Sequence, residues 1–197
     1  MNPLLTKLGV PKEVQAFFNT TELVFAYGED SEHFDIGFHR APATPNIWLA
    51  GKDMSREVII TSTAMEAIAY LSLNLHRYRD MDALSFIAIG NLPHPGQLDW
   101  IRANYPKQKF TLVFGKDLLG KLADIRIAGG LRNKTIRLLR SGTQIQIAYD
   151  NKQYGFDPES LSLSAFEKAS GLRTGIRTSK PKDFDTYLTQ LKFYANQ

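Results

Sequence analysis

The chain has 197 residues, 43% of them hydrophobic and 22% charged, with a net charge of +4; this is globular composition and excludes wholesale disorder. Its length favours one core with an appendage over two full domains. Cysteine is absent, which excludes disulfides, thiolate catalysis, iron–sulfur clusters and cysteine-based zinc sites. The longest apolar runs, such as Val58-Ile59-Ile60, fall far short of the roughly 20 residues that cross a bilayer. Met1–Val10 carries no sustained apolar stretch, so the expectation is a cytoplasmic protein without a membrane partner.

In chain order, Val14–Phe18 follows Pro11, a residue suited to a first helical turn. Leu23–Tyr27 reads as a strand, Gly28–His33 as a polar turn, and Phe34, Ile36 and Phe38 alternate with polar or small residues as a second strand. Pro42 and Pro45 mark a loop before Ile47-Trp48-Leu49. From Glu57 the rhythm changes. Strands at 58–61, 86–89 and 110–114 alternate with helices at about 63–78, 97–104 and 118–131, the pattern of βαβ units and a parallel sheet. Residues 135–156 return to β structure, with turns at Ser141-Gly142 and Asp150-Asn151, and helices follow Ser162 and span Phe184–Tyr194.

The predicted architecture is therefore α/β, a mainly parallel sheet flanked by helices. A β-rich N-terminal appendage (1–56) precedes the α/β core (57–134), and a small β insertion with C-terminal helices (135–197) completes it.

Charge is unevenly spread: residues 1–60 carry a net −3 and the remainder +7. Lys121, Arg126, Arg132, Lys134, Arg137 and Arg140 stand against Asp124 alone in one 20-residue stretch. Such asymmetry is the footprint of a surface that meets phosphates, or simply of a solvated helix face. The four histidines lack the spacing that puts two imidazoles on one helix face, although His33 and His39 can share one face of a strand. Trp48, Trp100, Tyr105 and Tyr149 are candidates for stacking on unpaired bases, with Tyr149 and Tyr154 beside a turn the best placed; interior packing explains them equally well.

Gly115-Lys116-Asp117-Leu118-Leu119-Gly120-Lys121 spells G-x-x-x-x-G-K between a strand and a helix, the context of a phosphate-binding loop. Leu122 stands where such a loop has the hydroxyl that holds Mg²⁺, and Asp117 would direct negative charge at the phosphate. The match is coincidental on that chemistry.

Residues 58–68 read strand, turn, helix, and Leu112–Ala123 repeats the layout. Together with Ile89-Gly90, and with Lys182-Asp183-Phe184-Asp185 and Leu188 near the end, they resemble the Toprim domain of topoisomerases, DnaG-type primases and related nucleases, as carried by phages and mobile elements. The resemblance covers about Glu57 to Leu131 plus that tail. In the family a Glu works as acid or base and an Asp pair holds Mg²⁺ against the phosphate. Here the Glu position is Ser62, the first Asp position is Gly115, Asp117 keeps the second, and Glu66 replaces an Asp. A Ser hydroxyl does not titrate near neutrality, so it cannot replace a carboxylate in proton transfer.

What the resemblance implies is a catalytically degenerate module associated with nucleic acid, DNA favoured, in replication or mobilisation of a mobile element. Mg²⁺ would be the implied cofactor, on Asp117 and Glu66, and the basic residues of 121–140 would meet phosphates. Each survivor also has a structural role open to it. Thr63-Ala64-Met65-Glu66 fits a capping box, Ser62 suits an N-cap, and Asp117 complements a helix dipole. Two alternatives stand beside this reading: a Mg²⁺-dependent enzyme recruiting Asp124 or Asp53, and a protein–protein adaptor.

Overall fold

The computed structural model describes residues 1–52, 55–90 and 92–197, with Arg140 and Ser141 described by backbone alone. Two short helices open the chain, α1 (Pro3–Lys7), whose free amides are met by Asn2, and α2 (Lys12–Phe17), which starts after Pro11. Strands β1 (Val24–Tyr27), β2 (Asp30–Asp35) and β3 (Phe38–Arg40) form an antiparallel sheet. The single strand expected through Phe34–Phe38 is thus broken. Ile36-Gly37 is a two-residue turn with Gly37 at φ +76°, and Ile36 is 71% exposed.

Strand β4 (Trp48–Gly51) leaves this hairpin sheet and joins the central one. There, β5 (Glu57–Thr61), α3 (Ala64–Asn74), β6 (Leu84–Ala88), α4 (Pro95–Asn104), β7 (Lys109–Val113) and α5 (Leu118–Leu131) alternate. Strands β8 (Arg137–Ser141), β9 (Gln144–Tyr149) and β10 (Lys152–Phe156) make a third, antiparallel sheet. Helix α6 (Leu163–Ser170), the short strand β11 (Arg177–Thr178) and α7 (Tyr187–Ala195) close the chain. No helix among the described residues is long and apolar enough to cross a membrane.

The central order is β11-β7-β5-β6-β4, with β11, β7, β5 and β6 parallel and β4 antiparallel to β6. This corrects the expected mainly parallel sheet: among the described residues five of the eight strand pairings are antiparallel, and the sheets are three. Two causes account for it. The connections β1–β2, β2–β3, β8–β9 and β9–β10 each have two residues, enough for a hairpin and far too few for a parallel crossover. Asp150 and Asn151 both take positive φ in the last of these turns. The direction of β4 is set by its hydrogen bonds to β6, which a local pattern of side chains does not encode.

Alternation along β5 divides the core. Ile59 packs on one face with Phe86, α3, α7 and the N-terminal helices, whereas Val58 and Ile60 pack on the other with Ile87, α4, α5 and α6. The chain passes from β5 to β6 over the first face and reaches β7 over the second. The crossover direction therefore reverses between β5 and β7, and their carboxyl ends define a switch point, where open α/β sheets bind ligands.

Candidate functional site

The residues singled out by the Toprim resemblance meet at this carboxyl edge. Strand β5 runs into Ser62-Thr63 and β7 into Gly115-Lys116-Asp117. The backbone N–H of Lys116 donates to Asp185 (2.9 Å), and its Nζ to the carbonyl of Lys182, so the closing Lys182–Asp185 segment lies against the end of β7. Half-buried Ser62 accepts at its carbonyl from Gly90 N–H (2.9 Å). The edge thus carries the predicted positions together, but its carboxylates are turned to other work.

Glu66 is 4% exposed. Half of the expected capping box is present, with Thr63 Oγ1 accepting from Glu66 N–H (3.1 Å). The Glu66 carboxylate, however, reaches α7, accepting from Tyr187 N–H (2.6 Å) and Leu188 N–H (3.1 Å). It caps a helix more than a hundred residues away in sequence. Burial outweighs these donors and pushes its carboxyl from 4.5 up to about 7. Asp117, exposed, is the N-cap of α5 and accepts from Gly120 N–H (2.9 Å). A β-carbon at Gly120 would collide with the Gly115 carbonyl, so glycine there permits the tight turn between β7 and α5.

The Lys of the G-x-x-x-x-G-K stretch does not face the loop. Lys121 Nζ donates to the carbonyls of Pro158 (2.8 Å) and Glu159 (2.9 Å), anchoring the segment between β10 and α6. Lys180 takes the place near Gly115 instead. Its Nζ donates to the carbonyls of Phe114 and Gly115 (2.9 Å each) and pairs with Asp124 at 2.6 Å. Asp124 is 2% exposed, and burial raises its carboxyl to about 6 despite the ammonium beside it.

Glu32 is the important residue that sequence reasoning missed. It is wholly buried on β2 and accepts from the first amides of α3, Ala64 N–H (2.7 Å) and Met65 N–H (3.0 Å), and from Tyr27 Oη (2.8 Å). His39 Nε2 lies 3.0 Å from its other oxygen. The N-terminus of α3, an anion-binding position in this fold class, is therefore filled from within the chain. Burial, then the Glu32 charge, drives the Tyr27 hydroxyl well above its ordinary range. A signal existed in the sequence: Glu32 is in phase with Phe34 and so shares its inward face.

Among the described residues no group of three or more His, Asp or Glu side chains is placed to hold a metal ion. Asp53 and the Arg140 side chain lie outside the described residues. The other basic residues of 121–140 divide. Arg132 is tied by Nε to the Thr174 carbonyl. Arg126 and Lys134 line a cavity of about 290 Å³ between α4 and α5, and exposed Arg137 lines one of about 490 Å³ with Tyr149 and Lys152. Tyr149 and Tyr154 pack edge-on against Phe166, Trp48 is buried, and Trp100 stands at the surface against Tyr105. His33 and His39 sit on opposite strands, His33 beside Ser31 Oγ (2.6 Å).

No protein family, curated protein or solved structure matches the chain.

Proposed function

We propose that this chain is a cytoplasmic nucleic-acid-associated module, a degenerate relative of Toprim domains that binds phosphate backbones, DNA favoured, without metal-dependent chemistry of its own. The observation that carries this reading is the contrast between its acids and its bases. Glu32, Glu66 and Asp117 are engaged by helix amides and Asp124 by Lys180. Arg126, Lys134 and Arg137 instead line open cavities and enter none of the ion pairs among the described residues. Cations free of internal partners release counterions when they meet phosphates, so affinity should fall steeply with salt. A role in replication or mobilisation of a mobile element follows from the Toprim resemblance.

The test is fluorescence anisotropy with labelled single- and double-stranded DNA and RNA over a salt series. Binding that weakens steeply with salt, and a shallower slope for the triple variant R126A/K134A/R137A, is expected. No binding at low salt would refute the reading and favour a protein adaptor.

A further inference from the structure

The opposite, amino edge of the central sheet carries a second cationic feature. All four parallel strands start there, so the residues preceding or opening each strand converge although they are far apart in sequence. Arg56 precedes β5, Arg77 and Arg79 precede β6, Lys107 and Lys109 lead into β7, and Arg177 opens β11. These residues line two adjoining cavities, of about 610 and 360 Å³, which share Glu57, Arg77 and Tyr78 as a common wall.

None of the six cations takes part in an ion pair among the described residues. All six are exposed, and among the described residues only Arg77 has a side-chain anchor, Asn74 Oδ1 at 3.1 Å. The acids in the two cavities are Glu57, which accepts from Thr111 Oγ1 (2.6 Å), and Asp80. Helices α3 and α4 end at this edge and add roughly half a negative charge each, which still leaves an excess of about three positive charges. Capping two helix ends does not require so many cations.

We propose that this amino-edge groove is a track for the phosphodiester backbone of single-stranded nucleic acid; the inference rests on the nucleic-acid reading above and adds a surface to it. Three features select an extended strand over a compact phosphate ligand. The cations are strung along two cavities rather than gathered at one point. Among the described residues every α-helix that follows a parallel strand starts at the carboxyl edge, and the 3-10 turn Met81–Ala83 at this edge already has its Asp82 N–H met by Asp80 (3.0 Å), so the amide cradle of a nucleotide site is missing. Tyr78 lies where the cavities join, its hydroxyl held by Tyr70 at 2.6 Å, and supplies an aromatic side chain beside the phosphate track.

The test is lysine-reactivity footprinting by mass spectrometry on the intact chain, free and with a 20-nucleotide oligothymidylate, beside anisotropy of the variant R56A/K107A/K109A. Lys107 and Lys109 should be protected several-fold by the oligonucleotide. The variant should bind at least roughly tenfold more weakly at low salt, with a salt slope shallower by about 2, as three lost phosphate contacts on a single strand imply. An oligonucleotide that binds while Lys107 and Lys109 react at their free rates would overturn the groove and leave the nucleic-acid reading standing. Equal protection by a nucleoside triphosphate at the same phosphate concentration would overturn the strand assignment. No binding of any nucleic acid by the unaltered chain would overturn both.

Discussion

At the carboxyl edge of the central sheet, buried carboxylates hold the chain together; at the amino edge six exposed cations enter no ion pair among the described residues. Glu32 fastens the N-terminal hairpin sheet to α3, Glu66 fastens α7 to α3, and the Lys180–Asp124 pair ties the segment before α7 to β7 and α5. The cations of the amino edge form no such ties among the described residues. The contrast teaches that a ligand-binding position of the fold can be consumed by architecture. An internal carboxylate satisfies the amides at a helix N-terminus as an incoming phosphate would, but it does so permanently.

Substitutions at the two edges should therefore differ sharply in what they cost. Glu32→Ala leaves the Met65 amide and the Tyr27 hydroxyl proton without an acceptor in the interior, with Ala64 N–H left only Tyr27 Oη (3.1 Å), and should lower unfolding free energy by about 3–5 kcal/mol in a urea titration. A loss below about 1 kcal/mol would mean that the N-terminal sheet is not anchored through Glu32.

The pH dependence should be next in size. The folded protein holds a proton on Glu66 up to about pH 7 and on Asp124 up to about pH 6, against ordinary values of 4.5 and 3.8. The folded state thus binds protons more tightly than the unfolded chain. Their contribution is fully present below the ordinary values and is lost as pH rises through about 6 to 7. For Glu66 alone this is worth on the order of 3 kcal/mol. Melting temperature should rise from pH 8 to pH 5, and Glu66→Gln should remove its share of that rise.

Gly120→Ala forces a side chain against the Gly115 carbonyl and should cost about 1–3 kcal/mol, read from the same urea titration. Asp117→Ala, which removes one N-cap, should cost about 1 kcal/mol, whereas Asp117→Asn should be nearly neutral. Smallest of all, Arg79→Ala should leave stability within about 0.5 kcal/mol while weakening nucleic-acid binding. A large loss of stability at Arg79 would erase the distinction between the two edges.

Much of the fold was legible because periodicity is local. The helix over Leu118–Leu131 has those bounds, and the strands at 58–61, 86–89 and 110–114 lie within two residues of their places. Strand direction and partner were not legible. Trp48-Leu49 looks the same in a hairpin as on the edge of the central sheet, and only long-range hydrogen bonds decide between them.

At the carboxyl edge, Asp117 behaves as its position before a helix suggests. The Thr63–Glu66 box is half right, because a free carboxylate on the inner face of α3 finds better donors at α7 than at its own first turn. Lys121 and Arg132 look like solvent-facing bases in sequence but are spent on carbonyls. The amino-edge cations are not gathered by a charge run because they come from four separate segments. They become a group only when parallel strands line up their starts.

The measurement that bears most directly on the account is the salt dependence of DNA binding by the unaltered chain and by Asp117→Asn, with and without Mg²⁺. Anisotropy should give affinities that fall steeply with salt and are alike for the two proteins, with Mg²⁺ acting only as an added salt. Binding that requires Mg²⁺ and disappears in Asp117→Asn would contradict the account and place a working metal site at the carboxyl edge.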